Sequence, residues 1–341
     1  MVNDSHLHFF HLNILIQIYN FNASLKRASM TLTVNRVVEA KGLTEGPHWD
    51  HRTQKLFFVD IWGNKICRFD PATSKVTCAY IANGPVGVAI PIDDGANHFV
   101  AGSGVDVVLV TWDGETNSTN PPIRKLKSVN KFNEGTRFND GKADSFGRFW
   151  AGTMSEIKGD FMPNGGEFYC MDKNLTLTTQ ITPVSISNGL AWNLDDDTFY
   201  YIDSPTKQIV SYDFDPQKGS IANRKVVFDL TKNNLPGVPD GMTIDSKDNL
   251  WIALFGGSQV IQVNPKTGKL LQSIPIPAKR VTSVTFGGPM LDILYVTTAG
   301  NGFANPAEKT PEDDMQGGSI FEIKGTGARG VLSNSFKMSD D

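Results

Sequence analysis

The chain has 341 residues, of which 40% are hydrophobic and 20% charged, and a formal net charge of −4. That balance excludes a disordered, fibrous or membrane-spanning polypeptide. A single ordinary core rarely grows past roughly 250–300 residues, so a chain of this length is either two domains or a repeat architecture.

Residues 1–30 stand apart. His8 to Phe21 is apolar but broken by histidine and asparagine, and Asp4 lies where a signal peptide carries positive charge. The stretch is also too short and polar to span a bilayer. It reads as a non-core N-terminal extension, with Met30 directly before the first strand pattern. Sequons at Asn3, Asn22, Asn117 and Asn174 matter only in a secreted chain. Cys67, Cys78 and Cys170, an odd number without a CxxC, suggest neither a disulfide framework nor a thiolate zinc site. A reducing, cytoplasmic setting is therefore expected. Basic residues are scattered, and the longest cluster, Arg124-Lys125-Leu126-Lys127, follows two prolines. Neither nucleic acid nor membrane is expected as a partner.

From residue 31 onward a small-residue step opening a short apolar strand recurs. It appears at Glu45-Gly46-Pro47, Pro85-Val86-Gly87, Asp140-Gly141-Lys142, Asn188-Gly189-Leu190, Asp240-Gly241-Met242 and Thr282-Ser283-Val284. The mean spacing is about 48 residues, within the range of propeller blades. A turn rich in Asp, Asn and Gly follows each step and leads into a second strand, such as Leu56-Phe57-Phe58-Val59-Asp60 or Phe199-Tyr200-Tyr201-Ile202-Asp203. These are β-branched and aromatic runs bounded by turn formers. Third strands such as Gln259-Val260-Ile261-Gln262-Val263 close on turns such as Asn264-Pro265-Lys266-Thr267-Gly268. The pattern predicts an all-β chain: a six-bladed β-propeller over 31–335, with four-stranded blades around a central channel, and a tail over 336–341. A sandwich or barrel also uses short strands, but it does not require six matched units.

In a propeller the first strand of each blade lines the channel, so its opening residues converge. Those positions hold Glu45, Asn188 and Asp240, with Asn139-Asp140 in the third blade. Two carboxylates and one or two amide oxygens, without His or Cys, form a hard site suited to Ca²⁺, Mg²⁺ or Mn²⁺, and Zn²⁺ can also occupy it. Taken singly, Asn-Gly and Asp-Gly are turn dipeptides; recurrence in register points to one metal ion. So few ligands leave positions open for water and substrate. No G-x-S-x-G, Walker loop, H-E-x-x-H or EF-hand loop occurs. His48 and His51 read as packing or surface residues, and Asp195-Asp196-Asp197 as a solvated hairpin. Asp60 and Asp203 end second strands near the site. Support behind the metal ligands and plain turn capping stay open for both.

Glu45-Gly46-Pro47-His48-Trp49, Asn139-Asp140-Gly141-Lys142-Ala143-Asp144, Ala151-Gly152-Thr153-Met154, Ser187-Asn188-Gly189-Leu190-Ala191-Trp192, Pro239-Asp240-Gly241-Met242 and Phe286-Gly287-Gly288 together resemble the regucalcin, senescence marker protein and gluconolactonase family. The resemblance runs from about residue 38 to 332. Glu45 to Asp50 and Val281 to Pro289 are most similar to the insect branch, which includes luciferin-regenerating enzymes. The resemblance implies a divalent metal on Glu45, Asn188 and Asp240 and hydrolysis of sugar lactones. It also implies substrate contact by Arg137 and Asn139, and assigns Asn139, not Asp140, to the metal side. Where some members carry two acidic residues after Ala-Gly-Thr-Met, this chain has Glu156-Ile157. Glu156 alone remains to reach the substrate, so the preferred lactone is open.

Asp240 is expected as general base, Arg137 as a planar donor to substrate, and Asn139 as an orienting group. A small-molecule lactone is the expected partner and a monomer the expected state. The alternatives are a calcium-binding regulatory protein without catalysis, and a luciferin-regenerating type of hydrolase acting on a non-sugar substrate.

Overall fold

The structure is a computed structural model and describes residues 31–94, 97–157, 160–302 and 311–339. The N-terminal extension, residues 1–30, lies outside the described residues. Four antiparallel four-stranded sheets follow one another along the chain. The first holds Thr44–Asp50, Lys55–Asp60, Lys65–Asp70 and Lys75–Tyr80, and the second Val86–Pro91, His98–Ser103, Asp106–Thr111 and Ile123–Ser128. The third holds Arg137–Ala143, Phe149–Met154, Gly166–Met171 and Leu177–Val184, and the fourth Ser187–Trp192, Thr198–Asp203, Gln208–Asp215 and Ser220–Asp229.

An eight-stranded sheet completes the chain. One half contains Val238–Ile244, Leu250–Phe255, Gln259–Asn264 and Lys269–Pro275; the other contains Arg280–Gly287, Ile293–Ala299, Ile320–Lys324 and the N-terminal strand Thr33–Val38. A single residue pair, Phe255 with Arg280, joins the halves. Thr33–Val38 pairs with Ile320–Lys324, so the first described strand closes on the last. The opening strands of successive sheets pack side by side, and Arg280–Gly287 packs back onto Thr44–Asp50. This closed ring around a channel is a propeller-type arrangement. Helix among the described residues amounts to two 3₁₀ turns, Ser204–Thr206 and Glu312–Asp314. No helix of the described residues is long and apolar enough to cross a membrane.

A repeated side-chain device sets the hairpin after four of the opening strands. Asp144 Oδ1 accepts the backbone N–H groups of Phe146 and Arg148, and its Oδ2 accepts Arg148 Nε at 2.6 Å and Trp150 Nε1 at 2.9 Å. Asp245 repeats this with Lys247 N, Asn249 N, Trp251 Nε1 and Gln262 Nε2. Asp50 and Asn193 do the same for their own turns. Short acceptors that bond to backbone two to four residues on favour turns over continued strand. The apolar faces then pack between neighbouring sheets. Trp150, wholly buried, meets Trp192, Phe199 and Phe214 of the fourth sheet at centroid distances of 5.8, 5.7 and 5.9 Å. Each such ring contributes roughly 1.5–3 kcal/mol by burial.

Two expectations need correction. Cys67 and Cys78 form a disulfide with Cα atoms 4.1 Å apart. They are directly opposed on adjacent strands of the first sheet, at the separation of a non-hydrogen-bonded pair. Cysteine usage therefore gives no support for a reducing setting. The tail expected over 336–341 is not loose at its start: Phe336 is wholly buried, stacks edge-on against Phe149 and donates its N–H to Pro91 O. A lone phenylalanine in a polar stretch carries no periodicity by which sequence reasoning could place it.

Candidate metal and substrate site

Every opening strand departs from regular pairing at its small-residue step. The register shifts between Glu45 and His48, Val86 and Val88, Phe138 and Asp140, Asn188 and Leu190, Pro239 and Met242, and Val281 and Ser283. Such bulges bend a strand and re-aim its side chains. Here they turn Glu45, Asn139, Asn188 and Asp240 out of the sheets and into the channel. Glycine is required beside them because the next strand passes so close. A Cβ on Gly189 would stand 2.6 Å from Asp240 O, and one on Gly87 would stand 2.3 Å from Phe138 O.

Four of the predicted residues, Arg137, Asn139, Glu156 and Asn188, meet in one hydrogen-bonded series that crosses three sheets; Glu45 and Asp240 are not members of it. Arg137 Nη2 donates to Glu156 Oε1 at 3.4 Å, and Arg137 Nη1 donates to Asn139 Oδ1 at 2.7 Å. Asn139 Nδ2 donates to Asn188 Oδ1 at 3.1 Å and to Ser187 O at 2.8 Å. Asn188 Nδ2 donates to Ser204 Oγ at 2.8 Å, and Ser204 Oγ donates to Pro239 O at 2.7 Å, the residue before Asp240. The series fixes both amides so that the Asn188 oxygen, not its nitrogen, is turned toward Asn139 and the channel. Ser204 is a member that sequence reasoning missed; its position directly after Asp203, at the end of the strand paired with Ser187–Trp192, was the available signal.

Glu45, Asp140 and Asp240 are buried with relative exposures of 5%, 3% and 6%. Burial, reinforced by the Asp140 charge, holds the Glu45 carboxyl well above its ordinary range. Burial, then Glu45 and Asp140, does the same for Asp240. Burial pushes Asp140 up to about 6 against the opposing pull of Lys142. Like charges gathered in low dielectric resist ionisation, which is the condition a divalent cation relieves. Each carboxylate is oriented by the N–H of the glycine that follows it: Gly46 for Glu45, Gly141 for Asp140 and Gly241 for Asp240.

The donor set therefore fits a hard, oxygen-ligated divalent ion, with Glu45, Asn188 and Asp240 as the residues that would hold it. Among the described residues no three His, Cys, Asp or Glu side chains gather as a ligand group. Asp140 influences Glu45 and Asp240 by its charge.

Deeper in the channel His48, Ala89, Ala143, Ala191, Thr243 and Thr285 surround a cavity of about 240 Å³ that also reaches Asp140 and Lys142. Lys142 extends from the third sheet to donate to Met242 O on the strand that carries Asp240. It was quoted in the sequence motif but given no role there. His48 faces this cavity, and burial lowers its imidazole to about 4. Neither histidine reaches the candidate metal ligands. Asp60 accepts Gly63 N–H, and Asp203 accepts the N–H groups of Ser185 and Ile186, so both act as loop caps. Asp195-Asp196-Asp197 lies in a turn as expected, with Asp197 bonded to Asn193.

Residues 43–300 match the family model described as SMP-30/Gluconolactonase/LRE-like region. The chain belongs to this family. Regucalcin of Xenopus laevis is 36% identical over 303 residues, covering 88% of this chain and 96% of that protein. Among solved structures, a luciferin-regenerating enzyme superposes with a TM-score of 0.83 at 33% identity, covering 90% of this chain and 100% of that one. A calcium-binding regucalcin from Agrobacterium tumefaciens superposes at 0.77 with 21% identity, covering 90% and 98%, a likeness of fold. Family membership agrees with the motif resemblance and with the propeller-type architecture.

Proposed function

We propose that this protein is a divalent-metal-dependent hydrolase that opens lactones at the mouth of a six-bladed propeller. Six blades follow if the eight-stranded sheet is read as two four-stranded blades sharing one residue pair. The observation that carries the function is the hydrogen-bonded series from Glu156 to Pro239, which fixes the Asn188 amide, together with the buried carboxylates of Glu45 and Asp240, which repel each other.

Glu45, Asn188 and Asp240 would hold a divalent cation, which would supply Lewis acidity toward the acyl oxygen and acidify water. Asp240 takes a proton from the attacking water as its oxygen bonds to the acyl carbon. The ring C–O bond breaks, and the proton passes to the departing alkoxide, giving a hydroxy acid. Arg137 balances the carboxylates and holds Asn139, whose amide locks Asn188 in its acceptor orientation.

Removing metal and adding ions back singly tests this reading. Because Glu45, Asp140 and Asp240 have raised pKa values in the folded, metal-free chain, the folded state holds more protons than the unfolded one above the ordinary carboxylate range. Metal-free stability should therefore fall as pH rises through about 6. Metal uptake should release protons, and its affinity should strengthen with pH over the same window. Lactone hydrolysis should return only with the ion. Tight calcium uptake without turnover of any lactone would instead favour a calcium-binding regulatory role.

A further inference from the structure

The hairpin acceptors Asp50, Asp144, Asn193 and Asp245, which only the hydrogen bonds reveal, put four of the opening strands in a common register. Glu45, Asn139, Asn188 and Asp240 each stand five residues before their acceptor. In three of these strands a glycine comes next, Gly46, Gly189 or Gly241, whereas the third sheet places Asp140 there. Two positions further on come His48, Ala191 and Thr243, and in the third sheet Lys142. Burial holds His48 uncharged near neutral pH. The third sheet therefore brings a carboxylate and an ammonium to positions where the other three bring glycine and an uncharged side chain.

Asp140 and Lys142 both line the channel cavity of about 240 Å³, which Glu45, Asn188 and Asp240 do not line. Lys142 Nζ crosses the channel to donate to Met242 O. Met242 is the residue at which the strand carrying Asp240 regains its pairing after the bulge. The two buried cations divide the carboxylates between them. Arg137 acts on Glu45 and Asp240, and Lys142 acts on Asp140. Asp140 in turn presses its own charge on Glu45 and Asp240. The number of charged ligands sets how tightly a hard divalent ion is held. Each further carboxylate also lessens the positive charge that such an ion presents to an acyl oxygen.

From this arrangement we infer that Lys142 is a positioning residue. Tied to the Asp240 strand through Met242, its ammonium answers the Asp140 charge and keeps that carboxylate from adding to the two that would hold the ion. The inference rests on the metal-dependent reading and deepens it: Lys142 gives up part of the affinity for the ion in return for a stronger Lewis acid.

Calorimetric titration of the metal-stripped chain with Mn²⁺, paired with hydrolysis of glucono-δ-lactone at neutral pH, tests this. Lys142→Met should bind Mn²⁺ about tenfold more tightly than the wild-type chain, and its kcat should be about tenfold lower. Affinity and rate then move in opposite directions, whereas loss of a merely structural contact weakens both. Lys142→Arg keeps the charge and should stay within about threefold of the wild-type affinity. Adding Asp140→Asn to Lys142→Met should bring the affinity back to within about threefold of wild type, since the two act as a coupled pair. Unchanged or weaker Mn²⁺ binding in Lys142→Met, or no return in the double variant, overturns the inference. If Lys142→Met does not fold, a folded double variant supports it and failure of both overturns it. If the wild-type chain takes up no divalent ion, the metal reading fails and the inference falls with it. If it takes up the ion but turns over no lactone, the hydrolase reading alone fails, and the affinities decide the inference.

Discussion

Asp240→Ala is expected to lower kcat/KM for lactone hydrolysis by at least about a thousandfold, since the change removes both a proton acceptor and a metal ligand. The fold should survive. Asp240 is 6% exposed, and its carboxyl is held above the ordinary range by burial and by Glu45 and Asp140. Its charge is therefore a cost to the metal-free protein near neutral pH. Metal-free Asp240→Ala should melt no lower than the metal-free wild-type chain, while losing the stabilisation that added metal gives the wild type. A variant with full activity would remove Asp240 from the mechanism. A variant that fails to fold would show that the residue is structural.

Asp144→Ala is expected to have the largest effect on stability. Asp144 is wholly buried. It is the shared acceptor for two backbone N–H groups, Arg148 Nε and Trp150 Nε1. Alanine would leave Arg148, itself 9% exposed, without its counter-charge. Breaking a buried pair from one side costs about 3–5 kcal/mol, and the unpaired indole N–H adds to that. In a chain of this size the loss corresponds to a fall in Tm of roughly 4–8 °C by calorimetry. An unchanged Tm would mean that the hairpin is held by its strands alone.

These residues also indicate how far sequence reasoning reaches. The Gly steps and the Asp-led hairpins are local chemistry repeated at a fixed period, so the strands and their order were legible. Whether Asn139 or Asp140 faces the amide of Asn188 was not legible from counting along the strand. The bulge between Phe138 and Asp140 decides it; there Asn139 reaches Asn188 Oδ1. Lys142 lacked a role because its partner, Met242 O, is on another sheet. Cys67 and Cys78 were recoverable: they lie equally far from the turn that joins Lys65–Asp70 to Lys75–Tyr80, and equidistance from a hairpin turn makes cross-strand partners.

The central claim is that Glu45, Asn188 and Asp240 hold a catalytic ion, and anomalous diffraction from crystals soaked in Mn²⁺ tests it most directly. The account predicts one strong peak within about 2.0–2.6 Å of an oxygen from each of these residues. A peak elsewhere in the channel, or none at an ion concentration that restores hydrolysis, would contradict it.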